Sequence, residues 1–90
     1  MTKRNNKNTY SLYELVKLAI GLQKRGIVYT LRPLHGGLQV VCNGWDAVCH
    51  DYSYGHEEGL LEIMGILVAD FEDDVEGYLT ADEILYRLDS

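Results

Sequence analysis

Hydrophobic positions along the chain change period several times, and each change marks an element. Leu12, Leu15, Val16, Ala19 and Ile20 follow i, i+3, i+4 spacing, which predicts an amphipathic helix over residues 11–25. Ser11-Leu12-Tyr13-Glu14 fits a capping box, with Tyr10 and Leu15 placed as its hydrophobic staple. Lys24 and Arg25 suit the negative end of that helix, and Gly26 can close it in a left-handed conformation. Residues 27–32 are rich in β-branched and aromatic side chains and read as a strand ending at Pro33. His35-Gly36-Gly37 is a turn. Residues 38–42 and 45–50 read as two further strands, joined by Asn43-Gly44, a type I′ hairpin pattern.

A two-residue turn fixes the register of that hairpin. Cys42 faces Trp45, Val40 faces Ala47 and Leu38 faces Cys49, and this mostly apolar side is expected to meet the core. Gln39, Val41, Asp46, Val48 and His50 point the other way. Their mixed character predicts a sheet covered by helices on one side only. After a loop over 51–56, the stripe Leu60, Met64, Leu67, Val68 and Phe71 predicts a second helix over 57–70. Gly59 and Gly65 each disfavour that helix by about 1 kcal/mol relative to Ala. Thr80-Ala81-Asp82-Glu83 is a second capping box, stapled by Leu79 and Ile84, and opens a last helix over 80–88. The expected fold is α+β, a single domain of order α-β-β-β-α-α with a three-stranded antiparallel sheet packed with helices. It covers residues 10–90, after a disordered basic tail over residues 1–9.

Composition narrows the class. The chain has 90 residues, enough for one domain, and 47% are hydrophobic, too many for a disordered chain. No apolar run approaches the ~20 residues that span a bilayer, and no apolar leader is visible. Two cysteines are too few for a disulfide scaffold, so a reduced, cytoplasmic protein is expected. Cys42 and Cys49 share the core face without opposing each other, which favours two buried thiols. A zinc site from Cys49, His50 and His56 is disfavoured, because adjacent strand residues face opposite ways and a second close Cys/His pair is missing. No nucleophile–base pair is assembled, so neither an enzyme nor a cofactor is expected.

Charge changes the picture more than composition does. Residues 1–45 hold seven basic groups against Glu14 alone, a balance of +6; residues 46–90 hold Arg87 against thirteen carboxylates, a balance of −12. Asp70, Glu72, Asp73, Asp74 and Glu76 fall within seven residues, a run that repels nucleic acid and attracts a basic surface. Tyr52, Tyr54, Glu57 and Glu58 crowd the preceding loop, in a chain with seven tyrosines and one Phe; tyrosine suits surfaces that meet a partner. The expected partner-binding set is therefore Asp70, Glu72, Asp73, Asp74, Glu76, Tyr52, Tyr54, Glu57 and Glu58.

Residues 72–83 also resemble a twelve-residue EF-hand loop. Glu72, Asp74, Glu76, Tyr78 (through its carbonyl), Thr80 and Glu83 fall at the ligand positions, and Gly77 at the glycine. Glu stands where the motif begins with Asp, and no second copy is present to pair with it, so calcium binding is the alternative reading.

The element order, the Asn43-Gly44 hairpin and the acidic stretch 70–76 together resemble the phage-encoded anti-CRISPR proteins. The resemblance covers residues 11–88 as topology and charge, and transfers no binding residue by identity. It implies a non-enzymatic, acidic DNA-mimic inhibitor whose carboxylates replace phosphates on a basic nucleic-acid-binding protein such as a CRISPR nuclease. From the acidic run and the lack of a long apolar stretch, neither direct nucleic-acid binding nor a membrane partner is expected. A phage or mobile-element interaction protein without inhibitory role is the remaining alternative.

Overall fold

The hairpin around Asn43-Gly44 organises the sheet. β2 (Gly37–Cys42) and β3 (Trp45–Cys49) pair antiparallel with Cys42 opposite Trp45, Val40 opposite Ala47 and Leu38 opposite Cys49, the register that the two-residue turn dictates. The turn itself is not type I′: Gly44 is left-handed at φ 90° but Asn43 is not. The I′ pattern sits one turn earlier. There His35 (φ 47°) and Gly36 (φ 81°) both take positive φ between β1 (Thr30–Leu34) and β2. This computed structural model describes residues 10–70 and 72–90; the basic tail expected over residues 1–9 lies outside them, as does Phe71. β1 starts later than the sequence suggests and contains Pro33, which an outermost strand tolerates because one of its sides has no ladder to supply.

The segment expected as the second helix is a strand. His56–Glu58 forms a single 3₁₀ turn closed by left-handed Gly59, and the chain then runs as β4 (Leu61–Gly65), antiparallel to β3. β5 (Val75–Leu79) pairs with β4, so the sheet has five strands in the order β1-β2-β3-β4-β5 rather than three. The helices are α1 (Tyr13–Lys24) and α2 (Ala81–Asp89). The reason lies in burial. Leu61 and Ile63 alternate into the core with no exposed surface, whereas Met64, which a helical stripe would bury, is half exposed. The α+β class and the single domain hold; the α-β-β-β-α-α order does not.

Both helices cover the same face of the sheet. Leu15, Leu18 and Leu22 of α1 and Ile84 of α2 are fully buried with Val40, Ala47, Cys49, Leu61 and Ile63 beneath them, and Trp45 is 7% exposed. Five antiparallel strands form an odd count, so a helix entering the sheet and a helix leaving it run in the same direction. The cross-helix contacts confirm parallel packing: Glu14 meets Ala81, Lys17 meets Asp82, and Arg25 meets Asp89. Between them Gly21 lies so close to Leu85 that a Cβ there would collide with the leucine side chain.

Capping follows the sequence at two of the three helix ends for which it set an expectation. Thr80 Oγ1 accepts the Glu83 amide at 3.2 Å and Glu83 Oε1 accepts the Thr80 amide at 2.8 Å, the reciprocal box expected. At the end of α1 the Ile27 amide donates to the Leu22 carbonyl and the Gly26 amide to the Gln23 carbonyl, a Schellman closure around left-handed Gly26. The box expected at Ser11 does not form. α1 begins after Leu12 without a side-chain cap, Ser11 Oγ accepts the Tyr13 amide instead, and Glu14 turns away to α2.

Candidate partner-binding surfaces

A meander keeps sequence order in space, so Arg32 lies on outermost β1 while Asp46, Glu62 and Glu76 lie on β3, β4 and β5. Two of the four described basic residues of the first half are engaged across the helix pair. Lys17 pairs with Asp82 at 3.1 Å and Arg25 with Asp89 at 2.7 Å, in each case a base on α1 with an acid on α2. Glu14 Oε1 accepts the Ala81 amide at 2.8 Å and closes the N-terminus of α2.

The acidic run splits into two roles. Glu76 lies on the helix side of β5 and is held by Arg87, whose Nη1 and Nη2 donate to its two oxygens at 2.8 and 2.7 Å. The Ala69 amide donates to the same carboxylate, and Arg87 Nη1 also donates to the Leu67 carbonyl. Arg87, then the Ala69 bond, holds the Glu76 carboxyl below its ordinary pKa. Glu76 is therefore the clasp that ties the β4–β5 loop to α2, not a free contact. Asp70 shapes that loop: its Oδ1 accepts the Glu72 amide and its carbonyl accepts the Asp73 amide. Glu72, Asp73 and Asp74 are exposed, and among the described residues no side chain or backbone amide engages their carboxylates. Exposed Ile66, which follows β4, packs near Gly44.

The second half of the expected binding set lies elsewhere. Tyr52, Tyr54, Glu57 and Glu58 are all exposed in the β3–β4 loop, at the Leu61 end of β4, while the acidic loop leaves its Gly65 end. The length of a five-residue strand, on the order of 15 Å, separates the two groups. The structure therefore does not bring the tyrosines to the carboxylates. It anchors the β3–β4 loop instead: the Tyr54 amide donates to Glu62 Oε1, the Tyr54 carbonyl accepts the Tyr78 amide across a bulge in β5, and Tyr10 OH donates to Asp51. Burial, then Asp51, pushes the Tyr10 hydroxyl pKa up.

The uncovered face of the sheet carries a feature the sequence showed only in part. Gln39, Asp46, Val48 and His50 point there as expected, and β4 adds Glu62 and Met64. Together with His35 and Tyr52 they bound a concavity of about 330 Å³. Gln39 Nε2 donates to Asp46 Oδ2 at 2.7 Å. His35, His50 and Tyr52 pack edge-to-face, with His35 5.0 Å from His50 and 5.3 Å from Tyr52 between ring centroids. The Tyr52 amide donates to His50 Nδ1, which places the His50 proton on Nε2. Burial, and then neighbouring His35, hold the His50 pKa below its ordinary value.

The candidate metal ligands are placed as follows. Of the calcium set, Glu76 is clasped by Arg87, Thr80 and Glu83 are locked in the capping box, and Tyr78 lies in a bulged strand, so Glu72, Asp74 and the rest do not converge. Cys49 faces the core while His50 faces the open side. Among the described residues no group of three or more His, Cys, Asp or Glu side chains gathers. Both cysteines are free. No helix of the described residues is long and apolar enough to cross a membrane. Compared with protein-family models, curated proteins and solved structures, the chain matches none.

Proposed function

We propose that the protein is a non-enzymatic binding module that docks on a basic, nucleic-acid-handling protein through the β4–β5 loop, as a mimic of DNA charge. The observation that carries this reading is the state of Glu72, Asp73 and Asp74. They are exposed, adjacent and engaged by no donor among the described residues, on a loop whose base is fixed by the Glu76–Arg87 clasp. Carboxylates held without internal partners are ready for charge-assisted bonds to Arg and Lys. An inhibitor of anti-CRISPR type is the finer form of this reading, and charge layout alone supports it, since five strands replace the order that suggested it. His50 and Cys49 point to opposite faces of the sheet and so do not form a nucleophile–base pair.

The test is competition. The protein should displace labelled duplex DNA from a basic partner such as a type II CRISPR nuclease, steeply less at high salt. Glu72→Gln, Asp73→Asn and Asp74→Asn together should abolish displacement and leave stability unchanged. Lys3, Arg4 and Lys7 changed to Gln should leave displacement intact; loss of activity there, with the acidic triple variant still active, would make the basic half the working surface.

A further inference from the structure

We propose that the concavity on the open face of the sheet is a receptor for one arginine side chain of a protein partner. The inference rests on the reading of the protein as a module for basic partners, but on a different surface. Val48 forms the floor, with Gln39 opposite it on β2 and Glu62 opposite it on β4. Asp46 lies diagonally from Glu62, at the distance of roughly 7 Å that separates such neighbours on antiparallel strands.

Each carboxylate is half used. Asp46 Oδ2 takes the Gln39 amide and Glu62 Oε1 takes the Tyr54 amide, which fixes both groups in place and leaves Asp46 Oδ1 and Glu62 Oε2 open among the described residues. Among the described residues no Lys or Arg lines the concavity; Arg32, opposite Gln39 on β1, lies outside the lining. A cation is therefore the ligand that this wall of fixed acceptors selects.

Shape selects among cations. A guanidinium is planar, carries five donors, and can reach two carboxylates at once, whereas an ammonium is a point charge. The aromatic wall of His35, His50 and Tyr52 offers ring faces and edges against which a guanidinium packs. Met64 and Val48 offer apolar surface to the aliphatic stem. The volume, about 330 Å³, admits a side chain.

The experiment is a heteronuclear NMR titration of the full chain with three peptides, acetyl-Gly-X-Gly-amide, in which X is Arg, Lys or citrulline. The arginine peptide should shift the backbone amides of Gln39, Asp46, Val48 and Glu62 to saturation. The lysine peptide should bind several-fold more weakly, and the neutral citrulline peptide should shift nothing. Asp46→Asn and Glu62→Gln keep the acceptor that the fold uses, so each should fold and weaken arginine binding about tenfold. The Glu72, Asp73, Asp74 triple variant should bind the arginine peptide as the parent does, which separates this site from the loop. Shifts centred on residues 70–76, equal response to Arg and Lys, or no saturable shift would each overturn the proposal. So would movement of the same pocket amides when Lys3, Arg4 and Lys7 are changed to Gln without peptide, since the chain's own tail would then be the occupant. Retention of partner binding in the loop variant with the peptide result intact would instead count against the proposed function alone.

Discussion

Glu14 and Ala81 stand 67 positions apart in sequence, yet the carboxylate of one caps the helix of the other at 2.8 Å. The first amides of a helix have no internal partners, and α2 has two acceptors for them, Thr80 from its own chain end and Glu14 from α1. Glu14→Ala removes the second acceptor. It should destabilise the protein by about 1–2 kcal/mol in urea, a typical cost for a lost cap, whereas Ser11→Ala should cost less than about 0.5 kcal/mol. Equal losses would return Glu14 to a local role in α1.

Glu76 should behave unlike its acidic neighbours. Glu76→Gln weakens a bidentate ion pair whose side chains are only about a quarter exposed, and should cost about 1–2 kcal/mol. Asp73→Asn or Asp74→Asn should change stability by less than about 0.5 kcal/mol. The pH dependence has a fixed sign. Because the folded pKa is lowered, the stabilisation is full above the ordinary Glu value and disappears as pH falls through the folded value. Between about pH 5 and pH 2 the parent should therefore lose more stability than Glu76→Gln. Parallel acid curves would show that the clasp does not hold the loop.

Gly65 tests the strand assignment. It adopts φ 108°, and a Cβ there would collide with the Gly44 carbonyl and lie 2.7 Å from Trp45 Cα. Gly65→Ala should cost upwards of about 2 kcal/mol, through both backbone strain and contact. In a helix the same change would stabilise by about 1 kcal/mol, so the sign alone discriminates.

The thiols should separate by reactivity. Cys49 is fully buried and burial pushes its pKa up; Cys42 is half-buried, with burial and then Asp46 raising its own. A thiol reagent at neutral pH should modify Cys42 slowly in the folded protein and Cys49 only in denaturant. Rapid modification of both without denaturant would mean that the β3 face is open.

The sequence made the central hairpin legible because a two-residue turn leaves only one register, and Cys42, Val40 and Leu38 then fall opposite Trp45, Ala47 and Cys49. The second capping box was legible because all its parts lie within four residues. β4 was not, since Leu60, Met64, Leu67 and Val68 fit a helical stripe while only Leu61 and Ile63 display the strand period. Gly59 and Gly65 were the opposing sign, and both prove to be left-handed. That one misreading also hid half of the open-face concavity, because Glu62 and Met64 come from β4. The partners of Glu14, Lys17 and Arg25 lie 64 to 67 residues away, where no local pattern reaches.

Parallel packing of α1 against α2 has a kinetic consequence. Every strand of the meander pairs with its neighbour in sequence, so the sheet can zip through short loops, whereas the helix pair closes nearly the whole chain into one ring. The helix–helix contacts are then the last to form and the first to open, and they open together. Lys17→Ala should accelerate unfolding and leave the refolding rate almost unchanged, and amide protection in α1 and α2 should be lost in one step while β2 and β3 stay protected.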